Sequence, residues 1–171
     1  MQVFHSYNSR LSQAGEQHVD DILAITIDLD DTLWEIHPVI HRAERRLFTW
    51  LGKHYPKITA MFSPEAMLEV RKRVVLDHPD QCHDYTYLRR TVLGRLGVAA
   101  GYDAGLVDDA MAVFDEVRND VKIFPEVRPA LKALRRNYVL IAVTNGNADL
   151  RVIGIHDLFH DFVSARTRRS M

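Results

Sequence analysis

Apolar and polar positions follow two different rhythms along this chain. Residues 19–27 close on the run Ile22-Leu23-Ala24-Ile25-Thr26-Ile27. Its β-branched residues predict a first strand over 19–27, and an apolar run of this kind suits a parallel sheet covered on both faces. The run stops at Asp28, Asp30 and Asp31, which cannot be buried without a counter-charge. A second continuous apolar run, 138–143, ends in the polar turn Thr144-Asn145-Gly146-Asn147, and a third short strand is predicted over 162–165.

Between the first two strands, residues 39–121 change to helical spacing. Val39, Ile40, Ala43, Leu47, Trp50 and Leu51 recur on one side of a first helix, with Arg42, Glu44, Arg45 and Arg46 on the other. Ser63-Pro64 reads as an N-cap and first helical position, opening a helix that ends before Pro79. Asp84 caps a third helix stopped by Gly97, and Asp103 caps a fourth running through Val117. Helices with no intervening strand cannot extend a parallel sheet, so they read as an inserted helical domain. After Ile123-Phe124-Pro125 the pattern predicts a helix over 126–136, then the second strand, and a short helix over 149–153 closed by Gly154. The expected fold class is α/β. Residues 1–36 and 122–171 form a core around a parallel sheet, and residues 37–121 form an α-helical insertion.

Composition narrows the function. The chain has 171 residues, enough for one domain carrying an insertion. Its formal net charge of -1 gives no bulk electrostatic case for nucleic acid or an anionic membrane. The single cysteine, Cys82, excludes an internal disulfide framework and suits a reducing cytoplasm. The lead-in, residues 1–17, is polar and does not read as a signal peptide. No apolar run approaches the roughly 20 residues of a membrane-spanning helix.

The candidate chemistry sits where the first strand ends. A parallel strand delivers such residues to the crevice in which open α/β sheets bind ligands. The plain reading of Asp28 to Asp31 is an acidic helix cap. The functional one is a Mg²⁺-dependent phosphoryl-transfer site with a carboxylate nucleophile. Asp28-Leu29-Asp30-Asp31-Thr32 resembles the first motif of the haloacid dehalogenase (HAD) superfamily, Asp-x-Asp-x-Thr after an apolar strand. Thr144-Asn145-Gly146 resembles its second motif, and the helical insertion is similar to the cap found between them in one large branch. With Leu33-Trp34, Pro38-Val39-Ile40, Arg42-Ala43-Glu44, His83-Asp84 and Thr86, the likeness extends to the bacterial phosphatases of that superfamily that act on flavin mononucleotide (FMN) and on the ribitylaminouracil phosphate of riboflavin biosynthesis.

This resemblance implies a Rossmann-like core and roles for individual residues. Asp28 is the nucleophile and a Mg²⁺ ligand. Asp30 is the general acid/base and contributes its backbone carbonyl to the metal. Thr144 and Asn145 belong to the phosphate-binding loop, with Thr144 bonding the phosphoryl group. His83 and Arg89 are candidate cap contacts to substrate, beside the plainer readings of a capping histidine and a solvated arginine face. A second acid at position 30 favours a phosphatase, because halide departs without a proton whereas an alcohol needs one. The implied partner is a small phosphorylated metabolite.

Two further family motifs, a lysine and a pair of acids, have no counterpart in residues 1–171, and the basic segment 166–171 matches neither. The expectation is an incomplete sheet with the first strand at its edge, and a chain impaired by truncation. Three alternatives stay open: a phosphatase for another metabolite, a phosphomutase, and a non-catalytic fragment. His156 and His160 have a spacing that suits zinc, but no third ligand accompanies them, and a solvated helix end is the plainer reading.

Overall fold

A computed structural model describes residues 22–164. The readings placed on the polar lead-in, on residues 19–21, on Ala165 and on the basic segment 166–171 lie outside these residues. Three parallel strands form the sheet, in the order β1-β2-β3. They are β1 (Ala24–Asp28), β2 (Val139–Thr144) and β3 (Asp161–Ser164). Among the described residues β1 pairs with β2 alone. Ile25 and Ile27 lie opposite Leu140 and Ala142 in register, and all four are buried. Asp28 lies opposite Val143, so the acidic strand end and the polar turn after Thr144 emerge side by side. The described part of β1 is shorter than the 19–27 run: Ile22 and Leu23 precede the strand, and Leu23 is 77% exposed.

Between β1 and β2 lie helices α1 (Ile36–His54), α2 (Pro56–Met61), α3 (Pro64–Asp77), α4 (Tyr85–Ala99), α5 (Leu106–Arg118) and α6 (Val127–Leu134). Ser63 Oγ accepts the Ala66 N–H at the start of α3, and Asp84 Oδ1 accepts the Tyr87 N–H at the start of α4, the caps the sequence signals. Four details differ from the sequence reading. Helix α1 starts at Ile36, ahead of the helical spacing that begins at Val39, with Pro38 in its first turn. Six residues opened by Pro56 form α2, a helix too short to announce itself by periodicity. Gly97 does not stop α4, which runs to Ala99. Its bare Cα lets Leu106 of α5 pack against it, and a Cβ there would collide with Leu106 Cδ2. Asp103 caps at one remove, accepting the Gly105 N–H, while Gly105 precedes α5.

The buried side chains form two clusters. One surrounds the sheet and gathers Ile25, Ile27, Leu29, Trp34, Val127, Leu131, Leu140, Ala142, Leu150 and Ile155. The other lies within the helices between β1 and β2 and gathers Ala43, Leu47, Leu51, Ile58, Leu93, Leu96, Leu106 and Phe114. After β2 come α7 (Leu150–Ile153), closed by Gly154 at φ 76°, and a 3₁₀ turn before β3. Asp149 caps α7 by accepting the Arg151 and Val152 N–H groups.

Candidate active site

The loop leaving β1 folds on itself. Leu33 and Thr32 donate their N–H groups to Leu29 O, and Asp31 N–H donates to Trp34 O. Asp31 takes φ 58°, in the left-handed region that an aspartate tolerates better than most side chains. Its Oδ1 accepts the Ile36 N–H at 2.9 Å, which ties the loop to the start of α1. Leu29 and Trp34 are fully buried and anchor the turn in the core. The hydrophilic members thereby stay at the strand end, with Asp28 exposed and Asp30 half-buried.

Desolvation pushes the Asp28 carboxyl above its ordinary value, and the like charge of Asp30 adds to this. The Leu29 N–H and the Thr32 hydroxyl act against it; Thr32 Oγ1 donates to Asp28 Oδ2 at a long 3.4 Å. Asp30 has a different environment. Arg118 Nη2 donates to both of its oxygens, at 2.7 and 2.8 Å, and Trp34 Nε1 donates to Oδ1 at 2.9 Å. The two acids therefore play unlike parts: one exposed and loosely held, the other oriented by three hydrogen bonds.

Thr144 is buried at the end of β2, and its Oγ1 accepts the Gly146 N–H at 2.9 Å. That bond occupies an oxygen lone pair and leaves the hydroxyl proton to donate. Asn145 is exposed at the turn. A Cβ on Gly146 would stand 3.0 Å from Asp30 Oδ2 and 3.3 Å from both Arg118 Nη2 and Thr144 Oγ1. Gly146 is thus the point where the two loops and Arg118 close on one another. Asp28, Asp30 and Thr144, singled out from sequence, are brought together at adjacent strand ends.

Helix α5 fastens this corner. Arg118, only 1% exposed, reaches Asp30 from its last residue. Asn119 Oδ1 accepts the Asp149 N–H at 2.8 Å, and Asn147 Nδ2 donates to Asp115 Oδ1. Arg118 is the functional residue that the sequence reading missed. It lies 88 positions from Asp30 at the end of an amphipathic helix, where a basic residue is an ordinary feature. Trp34 packs in the core, and its indole N–H has the additional task of orienting Asp30.

The two cap candidates lie elsewhere. His83 is exposed in the turn before α4. Arg89 is not on a solvated face: its guanidinium lies 3.5 Å from the Phe114 ring centre and its side chain is 14% exposed. A cleft of about 780 Å³ runs along the second loop between Asp115, Asn119, Asn147 and Phe162; neither Asp28 nor Asp30 lines it.

As a test for a metal, the donor set is small. Among the described residues no three His, Cys, Asp or Glu side chains gather to hold an ion. His160 is no ligand in waiting, since its Nδ1 accepts the Leu140 N–H at 3.0 Å. Mg²⁺ keeps several waters and is often held by one or two carboxylates together with substrate phosphate. The exposed Asp28 carboxylate fits such a partial set. The Asp30 carboxylate is taken up by Arg118 and Trp34, which leaves its backbone carbonyl.

Comparison with known proteins places this arrangement in a family. The family model for haloacid dehalogenase-like hydrolases matches residues 22–170. The chain belongs to that family. It is 32% identical over 142 residues to the 5-amino-6-(5-phospho-D-ribitylamino)uracil phosphatase YigB of Escherichia coli K12, an alignment covering 81% of this chain and 59% of YigB. The crystal structure of a 2-haloacid dehalogenase from Pseudomonas syringae pv. tomato superposes with a TM-score of 0.80 at 39% identity, covering 86% of this chain and 65% of that one. A HAD-hydrolase of Bacillus subtilis, YfnB, crystallised with magnesium, shares the fold at a TM-score of 0.54 and 16% identity, over 85% of this chain and 66% of that one. The chain thus spans about three-fifths of the length of YigB. The fold is the α/β one expected, a parallel sheet with a helical insertion.

Proposed function

We propose that this HAD-family chain carries the nucleophile and phosphate-binding loops of a Mg²⁺-dependent phosphatase for small phosphate monoesters. The observation that carries this reading is the pairing of two unlike carboxylates, Asp28 and Asp30, beside Thr144 at the ends of adjacent parallel strands. Residues 37–121 act as the cap, and the described residues on either side, 22–36 and 122–164, as the core.

In this mechanism Asp28 attacks phosphorus in line with the leaving oxygen and becomes an aspartyl-phosphate. Asp30 gives a proton to the departing alcohol, then takes one from the water that hydrolyses the acyl phosphate. Thr144 donates its hydroxyl proton to the transferring phosphoryl oxygens, and Asn145 orients the loop. Asp28 and the Asp30 carbonyl would hold Mg²⁺, whose charge allows a carboxylate to approach a phosphate. The ribitylaminouracil phosphate for which YigB is named is the substrate that the sequence likeness supports, with FMN as a second candidate from the motif resemblance.

The resemblance to a 2-haloacid dehalogenase supports a second reading, hydrolysis of a carbon–halogen bond. Asp30 argues against it, since halide needs no proton on leaving. The test offers the purified chain FMN, other phosphate monoesters and a 2-chloro acid, each with Mg²⁺ and with EDTA. Phosphate release that needs Mg²⁺ and disappears in Asp28→Asn supports the proposal. Chloride release, or phosphate release indifferent to Asp28→Asn, overturns it.

A further inference from the structure

The helices between β1 and β2 enclose a cavity of about 150 Å³. All its lining residues fall between Glu44 and Leu96, so it includes nothing from the Asp28 or Thr144 loops. The walls are Leu47, Leu51, Met67, Leu88, Leu93 and Leu96, and the rim carries Leu68 and Tyr85, which are 49% and 46% exposed. An apolar cavity of about this volume accommodates one benzene-sized ring.

Charge is concentrated at one side of it. Arg71 Nη1 and Arg89 Nη2 both face Glu44 Oε1, each at 3.6 Å. One carboxylate is thus shared by two guanidinium groups, and both distances exceed those of a well-formed hydrogen bond. Arg89 is the deep member, stacked on Phe114; Arg71 and Glu44 are less covered, their side chains 42% and 45% exposed. The other charges acting on Arg89 are Asp115, which attracts, and Arg118, which repels. Burial, with the like charge of Arg71, pulls the Arg89 guanidinium down to about 10, where it is still cationic at neutral pH. The lining carries two positive charges and one negative charge beside an apolar, ring-sized space.

We infer that this cavity binds a small organic monoanion, a carboxylate bearing one apolar ring or a branched chain, with the carboxylate on Arg71 and Arg89 and the hydrocarbon among the leucines. A guanidinium fork matches a carboxylate, and an acceptor there replaces two long ion pairs with charge-assisted hydrogen bonds. The site stands apart from the phosphatase reading, and its test does not depend on turnover.

Benzoate is the probe, benzyl alcohol its neutral counterpart, and inorganic phosphate an anion without a ring. The protein is labelled with ¹³C at the methionine methyl groups. Met67 lines the cavity, whereas Met111 is buried in the same helical core without lining the cavity and reports the fold. Benzoate should shift Met67 saturably, while benzyl alcohol and the Arg71→Gln variant should each weaken binding by about tenfold, the equivalent of one charge-assisted contact. Leu68→Trp at the rim should close the cavity and abolish the shift. An unmoved Met67 up to the solubility limit of benzoate overturns the inference. So does equal binding of benzyl alcohol, a response to phosphate as strong as to benzoate, or an Arg71→Gln protein with native Met111 that binds benzoate undiminished.

Discussion

Arg118→Met isolates the clamp on Asp30. The substitution keeps most of the aliphatic length and removes both hydrogen bonds that Nη2 makes to the carboxylate. Truncating one partner of a fully buried pair destabilises by about 3–5 kcal/mol. Here the Arg118 side chain is 2% exposed but that of Asp30 is 25% exposed, so solvent and Trp34 still serve the orphaned carboxylate. Arg118 Nη1 is moreover buried with no hydrogen-bond partner among the described residues, so removing it relieves an unsatisfied donor. These two discounts bring the expected loss to about 2 kcal/mol, or about 4–8 °C in Tm for a chain of this size. Urea denaturation of wild type, Arg118→Met, Asp30→Asn and the double variant measures the coupling. The double variant should be less destabilised than the sum of the single changes by at least about 1 kcal/mol. Strict additivity, or an Arg118→Met protein as stable as wild type, would refute the clamp.

Other outcomes follow from the same geometry. Asp28→Asn should raise Tm at pH 7 and leave it unchanged near pH 3, read by thermal melts at both values. An acid whose pKa is raised on folding binds more protons native than unfolded, so it costs stability as pH rises through that window and the amide escapes the penalty. Gly97→Ala should destabilise by about 1 kcal/mol in chemical denaturation, because the new methyl collides with Leu106, itself 1% exposed, by more than the gain in helix propensity offsets. Asp77 is held below its ordinary value by the hydrogen bond from Arg95 Nη1, 2.6 Å long. Its contribution is present above the unfolded pKa of about 3.9 and lost as pH falls below it, so Arg95→Met should flatten the acid limb of a stability–pH curve. Trp34→Phe should remove the Asp30 hydrogen bond and leave a small cavity where the larger indole was packed, at a loss of more than about 1.5 kcal/mol read from the denaturation midpoint.

Local pattern determined a good deal of this protein by itself. The apolar runs ending in Asp28 and Thr144 were legible because a strand in a parallel sheet must be apolar along its length and turn polar where it meets solvent. Ser63, Asp84 and Gly154 were legible as helix ends because capping is a contact between near neighbours in sequence. The acid pair and the second loop could be joined into one site because the motif spacing carried the family likeness. Contacts between distant segments were another matter. Nothing local in Gly97 distinguishes a helix stop from a close approach, and it was Leu106 of another helix that decided. Arg89 reads as a solvated face until Phe114 and Glu44 are seen around it. Arg118 and Asp30 are far apart along the chain, and only the turn of α5 onto the β1 loop brings the guanidinium to the carboxylate. Sequence states which groups can carry charge; the fold alone determines which of them become partners, because the strength of a charge pair depends on a few ångströms of separation and on how much water is excluded.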